Sequence, residues 1–214
     1  MSLERQQILD AIEKVKEASP DRNFTESFEM QINLRELDMT RPENRIDTRV
    51  QLPNEIEGRN VLVFASGDLA LRARRAGADE VVEPDELDEM AEDRKLAKKK
   101  LKMYNVFVAE APMMPTVGRV AGPILGPTGK MPTPVPPQAP IDEIIERERR
   151  TVILRSRDRM FVHCIVGKED MPDEELTENI QAVMRELTLN LERGMGNIKS
   201  IYLKKTMGGS VKLW

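Results

Sequence analysis

The chain has 214 residues, 40 % of them apolar, enough to bury a core in one large domain or two small ones. Its one cysteine excludes an internal disulfide, and with a single histidine there is too little soft-ligand material for a structural zinc site, so no metal or cofactor is expected. A formal net charge of −4 argues against a generic polyanion binder, whose affinity would come from clustered Lys and Arg.

In chain order, a helix is expected first, with Ser2 as its cap, Leu3, Ile8, Leu9, Ile12 and Val15 at helical spacing, and Ser19-Pro20 as its end. Glu4 and Arg5 stand where a signal peptide would need its apolar core. Residues 24–34 read as a half-buried strand: Phe28, Met30, Ile32 and Leu34 alternate with Ser27, Glu29, Gln31 and Asn33, leaving one wet face available to a ligand. Near residue 56 the pattern changes. Residues 61–65 are a continuous apolar run, far too short to span a bilayer. Residues 68–76 read as a helix ending at Gly77, 80–83 as a short strand, 85–100 as one charged helix and 105–109 as a further strand. Alternating helices and apolar strands imply a parallel sheet flanked by helices.

Residues 111–141 hold nine of the fourteen prolines, four glycines and no carboxylate, the composition of a mostly ordered or semi-extended loop around a short helical piece. A helix begins near Ile141. After Arg150 the alternating style returns in 151–157, with a turn at Asp158-Arg159 and a strand over 160–166. A long amphipathic helix then carries Leu176, Ile180, Val183, Met184, Leu187 and Leu191 and ends at Gly194. The last strand covers 198–206, and a Gly-Gly turn leads to 211–213. The two ends share the half-wet antiparallel pattern and the middle has the doubly covered one. The expected fold class is therefore α/β with two domains: a discontinuous α+β domain of residues 1–56 and 150–214, an antiparallel sheet with helices, and an inserted Rossmann-like α/β domain of residues 57–149.

Charge is unevenly placed. Residues 193–214 hold five bases (Arg193, Lys199, Lys204, Lys205, Lys212) and no carboxylate, whereas 79–93 hold nine carboxylates and no base. One face can thus meet RNA while another is acidic. Catalytic chemistry is hard to find. His163 and Cys164 are strand neighbours pointing to opposite faces. The run Gly126-Pro127-Thr128-Gly129-Lys130 has Ile124 where a phosphate loop needs glycine and Met131 where it needs Ser or Thr, and Pro123 and Pro127 lack the N–H groups that would cradle a phosphate. The principal rival reading is a small-molecule or nucleotide-binding α/β protein with its ligand at the carboxyl ends of the middle strands. A protein-interaction module using the 79–93 face is a third.

Three segments together carry a family resemblance: Asn23-Phe24-Thr25-Glu26-Ser27, then Ile124-Leu125-Gly126-Pro127-Thr128-Gly129-Lys130-Met131-Pro132, then Lys199-Ser200-Ile201-Tyr202 through Thr206-Met207-Gly208-Gly209-Ser210-Val211. In order, spacing and two-domain layout the chain resembles, over essentially its whole length, the ribosomal protein L one family in its archaeal form. The resemblance implies a cytoplasmic, non-catalytic protein of the large ribosomal subunit that binds large-subunit ribosomal RNA and forms the mobile stalk near the tRNA exit site. It also implies contact with exit-site tRNA in the assembled ribosome, a monomer when free, no membrane, and translational repression through the protein's own mRNA. Carried over from the family, the RNA-binding residues are Phe24, Thr25, Glu26, Ser27 and Glu29 with Thr206, Met207, Gly208 and Ser210. The chain departs from the common family pattern at Gly209, often proline, at Thr128 and Thr133, often arginine and asparagine, and at Asn23, a lysine in many bacterial members.

The residue types suit folded RNA, which is read through shape, backbone and 2′-hydroxyls, so that Thr25, Ser27, Thr206 and Ser210 supply small donors and acceptors. Gly208 and Gly209 let backbone approach backbone. Glu29 accepts from a 2′-hydroxyl or a base amine, or serves as a cross-strand partner for Lys or Arg. Phe24 on its residue type alone favours a core position. Lys199, Lys204 and Lys205 supply the electrostatic attraction.

Overall fold

The computed structural model describes residues 3–20 and 22–214, and the chain divides into two units, Met1–Glu57 with Arg150–Trp214, and Gly58–Arg149. It is a mixed α/β protein with both antiparallel and parallel sheets. The first helix, α1 (Arg5–Glu17), starts after Glu4, whose backbone N–H donates to Gln7 Oε1 at 3.4 Å. The expected cap Ser2 lies outside the described residues. Ile8, Ile12 and Val15 form the buried stripe of α1. In β1 (Ser27–Leu34), Phe28, Met30, Ile32 and Leu34 are buried while Ser27, Glu29, Gln31 and Asn33 turn the other way, as their alternation requires. A short strand, β2 (Asp47–Gln51), follows where the sequence offered no expectation, because only Val50 of its five residues is buried.

The second unit opens with β3 (Val61–Phe64), α2 (Gly67–Arg75) and β4 (Glu80–Val82). The charged segment expected as one helix over 85–100 is two helices, α3 (Pro84–Glu92) and α4 (Arg94–Leu101). Asp93 divides them, its carboxylate accepting the N–H groups of Lys95 at 2.8 Å and Leu96 at 3.1 Å as the cap of α4. After β5 (Val106–Glu110) the Pro/Gly-rich segment is more regular than its composition suggests: a 3₁₀ turn (Ala111–Met113), α5 (Met114–Val120), α6 (Gly122–Leu125) and β6 (Thr133–Val135). Prolines sit in the first turns of α5 and α6, where a missing N–H has no helical partner to lose, and Pro134 is tolerated because β6 is an edge strand.

The strands run parallel in the order β4-β3-β5-β6. Val61, Val63 and Ala65 pack on one side with Leu69 and Ala73 of α2 and with Ile141 and Ile145 of α7 (Ile141–Arg150). Leu62 and Phe64 pack on the other with Leu87 of α3, Leu101 of α4 and Leu125 of α6. Covering on both faces is why this strand reads as an unbroken apolar run.

Back in the first unit, β7 (Thr151–Arg155) pairs antiparallel with β2, Gln51 facing Thr151 and Asp47 facing Arg155. β8 (Phe161–Lys168), α8 (Asp173–Leu189), β9 (Ile198–Lys205) and β10 (Ser210–Lys212) complete the chain. The main sheet has the order β10-β9-β1-β8, all neighbours antiparallel, with β1 between β8 and β9, both far later in the chain. α1 and α8 pack on one face, where Ile8, Ile12, Leu176, Ile180 and Leu187 meet Phe28, Met30, Val162, Ile201 and Leu203. Cys164 belongs to that core, and burial pushes its thiol up to about 12, whereas its neighbour His163 is exposed on the opposite face. The two side chains do not meet as nucleophile and base.

Candidate nucleic-acid interface

The face of the main sheet away from α1 and α8 is carried by the polar half of each strand's alternation. Its register sets side chains in rows across the sheet. One row runs Ser210, Lys204, Glu29, Ile165; the next runs Lys212, Tyr202, Gln31, His163; a third holds Ser200, Asn33 and Phe161. Glu29 therefore lies directly opposite Lys204, the cross-strand arrangement available to it as an acidic strand residue. Lys204 Nζ donates to the Thr206 carbonyl at 3.1 Å. Arg159 stands over the Phe161 ring at 5.8 Å from its centroid, and the Phe161 and His163 rings are 6.1 Å apart. Tyr202, His163 and Ile165 share these rows without having been expected on this face. The alternation announced a wet face, but only strand register shows which side chains share a row.

At one end of this face the residues entering β1 lie beside the turn between β9 and β10. Ser27 N–H donates to Thr206 Oγ1 at 3.1 Å, and Thr206 N–H donates to the Ser27 carbonyl at 3.1 Å. Met207 N–H donates to Glu26 Oε1 at 2.7 Å. The Met207 side chain is 61 % exposed and Phe24 is 51 % exposed, so Phe24 is not the core residue that its type suggested. Thr25, Gly209 and Ser210 are also exposed, and Ser27, Glu29, Lys204, Thr206 and Gly208 are half-buried. A Cβ on Gly208 would stand 2.0 Å from Ser19 Oγ, so its lack of a side chain lets the turn lie on the end of α1. Around Gly209 there is open space; close backbone approach is needed at Gly208 and not at Gly209.

Two expected contact residues are withdrawn from the surface. Glu26 is 1 % exposed and Lys205 is 6 % exposed. Lys205 Nζ lies 3.0 Å from Glu169 Oε2 and 4.0 Å from Glu26 Oε2, and Glu26 N–H donates to Glu169 Oε1 at 3.1 Å. The Lys205 ammonium, helped by the Glu26 N–H, holds the Glu169 carboxyl below the usual carboxylate range. A base following Lys204 in a strand must point to the other face, which here is the core. The buried Glu26 and Lys205, with the half-buried Glu169, fix the turn from beneath. Lys199, exposed at the opposite end of β9, is not brought to the turn: the seven residues from it to Thr206 span about 23 Å of strand.

The second unit offers less to a small ligand. At the carboxyl end of β3, where an α/β sheet commonly seats an anion on the next helix, Ser66 N–H and Ser66 Oγ donate to Glu110 Oε2 at 2.9 and 2.8 Å. A carboxylate of the chain itself fills that place. The 126–130 run ends α6: Lys130 N–H donates to the Leu125 carbonyl at 3.1 Å, Gly129 has φ +74°, and Thr128 Oγ1 donates to the Leu125 carbonyl at 2.7 Å. It is a helix C-terminal cap with no N–H cradle for phosphate.

Residues 15–209 match the family described as "Ribosomal protein L1p/L10e family". The chain is 48 % identical to the "Large ribosomal subunit protein uL1" of Methanothermobacter thermautotrophicus over 98 % of this chain and 99 % of that one. It is 42 % identical to the protein of that name from Archaeoglobus fulgidus over the full length of both. Against the Haloferax volcanii protein of that name the identity is 44 %, over 96 % of this chain and 97 % of its relative.

Proposed function

The chain belongs to the ribosomal protein L1p/L10e family, a family of structural proteins and not of enzymes, and we propose that it binds large-subunit ribosomal RNA through the Met207 turn and the adjoining open sheet face. In this reading it is a cytoplasmic constituent of the large ribosomal subunit, monomeric when free, that forms the mobile stalk near the tRNA exit site and touches exit-site tRNA there. It also represses its own synthesis by binding a similar structure in its own mRNA. The observation that carries the RNA assignment is the Met207 turn: an apolar side chain left 61 % exposed on a loop whose backbone is fixed by a buried carboxylate. A fixed, exposed, small-residue turn suits a partner read by shape. Beside it Thr25, Ser27 and Ser210 supply hydroxyls, Phe24 a ring and Lys204 a charge.

Met207→Ala is the clean test, because the Thr206 hydroxyl also takes part in holding Ser27. Its loss should weaken specific ribosomal RNA binding by about 1–3 kcal/mol while leaving the melting temperature unchanged. Lys204→Ala should lower affinity for specific and unrelated RNA alike and reduce the slope of log K against log salt by roughly one. Normal binding by Met207→Ala together with complete loss of specificity in Lys204→Ala would sink the assignment of the turn.

A further inference from the structure

The sequence of α4 is RKLAKKKL, five cations and no carboxylate, and Lys102 follows directly. Ala97 and Leu101 turn inward, so the opposite pole of the helix is occupied by Lys95, Lys98, Lys99 and Lys102, spaced as one stripe. All four are exposed, as is Arg94. Among the described residues only Lys100, on the flank towards α3, has carboxylate partners, Glu86 and Glu80. The α3 helix has five carboxylates of its own, yet among the described residues none forms an ion pair with the stripe. On the other flank α6 belongs to the segment 111–141, which has no carboxylate.

Such a stripe works against the helix that bears it. Arg94 and Lys98, Lys95 and Lys99, and Lys98 and Lys102 are like charges four residues apart, each pair repelling across one turn. Helix stability here comes from the Asp93 cap and the buried Ala97 and Leu101. Four lysine heads in a row, with no acceptor or aromatic ring among them, have nothing with which to read bases. They match regularly spaced negative charge.

We propose that this face of the second unit is a docking surface for the phosphate backbone of folded RNA, independent of sequence and separate from the Met207 turn. The choice of RNA as the polyanion rests on the ribosomal reading above. The acidic α3 beside it turns a polyanion away and so limits the direction from which the backbone approaches.

The test uses the full chain carrying Lys95→Gln, Lys98→Gln and Lys99→Gln, with an unrelated RNA duplex and a large-subunit ribosomal RNA fragment as probes over a salt series. Affinity for both should fall about tenfold near 0.1 M salt, and the slope of log K against log salt should flatten by about two to three. The melting temperature should hold or rise, since repulsion is removed. The triple Lys→Arg variant, which keeps the charges, should bind as the parent does. A control of equal charge change, Arg5→Gln with Lys14→Gln and Arg185→Gln, should leave the slope unaltered. Unchanged affinity and slope in the Gln triple overturns the proposal, and so does an equal loss in the control or a loss in the Arg triple. Should the Gln triple fold poorly, Lys98→Gln alone must flatten the slope by about one, or the proposal falls. Met207→Ala measured in parallel keeps failure of the turn distinct from failure of the stripe.

Discussion

Gly208 and Gly209 are adjacent and chemically identical, yet they stand in different surroundings. A methyl group at Gly208 meets Ser19 Oγ at 2.0 Å and the Lys205 Cβ at 3.3 Å, whereas one at Gly209 meets nothing within 4 Å. Gly208→Ala should therefore destabilise the turn by about 1–3 kcal/mol through overpacking and should weaken RNA binding with it. Gly209→Ala should stay within about 0.5 kcal/mol of the parent in thermal melts. Equal effects at the two positions would mean that the turn does not rest on Ser19. The same contrast marks how far single residues were legible. A turn at Gly208-Gly209 could be picked out from the sequence, and Ser27 and Glu29 as wet-face residues from their alternation. That Glu26 and Lys205 would be a buried support was not legible, because their partner Glu169 is 143 residues from Glu26 and neither residue type is commonly buried.

At the scale of elements, long periodic segments declared themselves. The α8 stripe of Leu176, Ile180, Val183 and Leu187 and the alternation of β1 needed only local period. Three elements were obscured for separate physical reasons. β2 buries a single residue and takes its strand form from pairing with β7, far along the chain. The proline-rich segment forms helices because its prolines fall in first turns and forms β6 at an edge. The division of α3 from α4 depends on one capping side chain within a run of helix-favouring residues. Asp93→Ala should cost about 1 kcal/mol, felt first as faster hydrogen exchange of the Lys95 and Leu96 amides. If those amides exchange as slowly as in the parent, the carboxylate is not what divides the helices.

At the scale of the whole molecule, β2 and β7 draw together the two places where the chain leaves and re-enters the first unit. Gln51 faces Thr151, and Leu52 N–H donates to the Arg150 carbonyl at 2.9 Å. The chain on either side of the second unit is thus about one strand spacing apart, near 5 Å. Replacing residues 58–149 by a short Gly/Ser linker should leave the first unit folded and still able to prefer ribosomal RNA to unrelated RNA, as competition binding would measure. Its unspecific affinity should drop, because the lysine stripe goes with the excised unit. A folded product with no preference would remove the recognition site from the first unit. The two-unit expectation came from a change in burial style near residues 56 and 150, but the strand pair at the junction had no such signature.

The place of β1 in the main sheet also sets a timetable. Both its neighbours, β8 and β9, are synthesised after the whole second unit, so during translation β1 has no strand to pair with for about six to twenty-five seconds. Over that interval the segment around Phe24 and the turn around Met207 do not coexist. A chain that still lacks the Met207 turn lacks the RNA site proposed above. If the protein represses its own messenger through that site, chains that have not yet made the turn do not add to the quantity sensed.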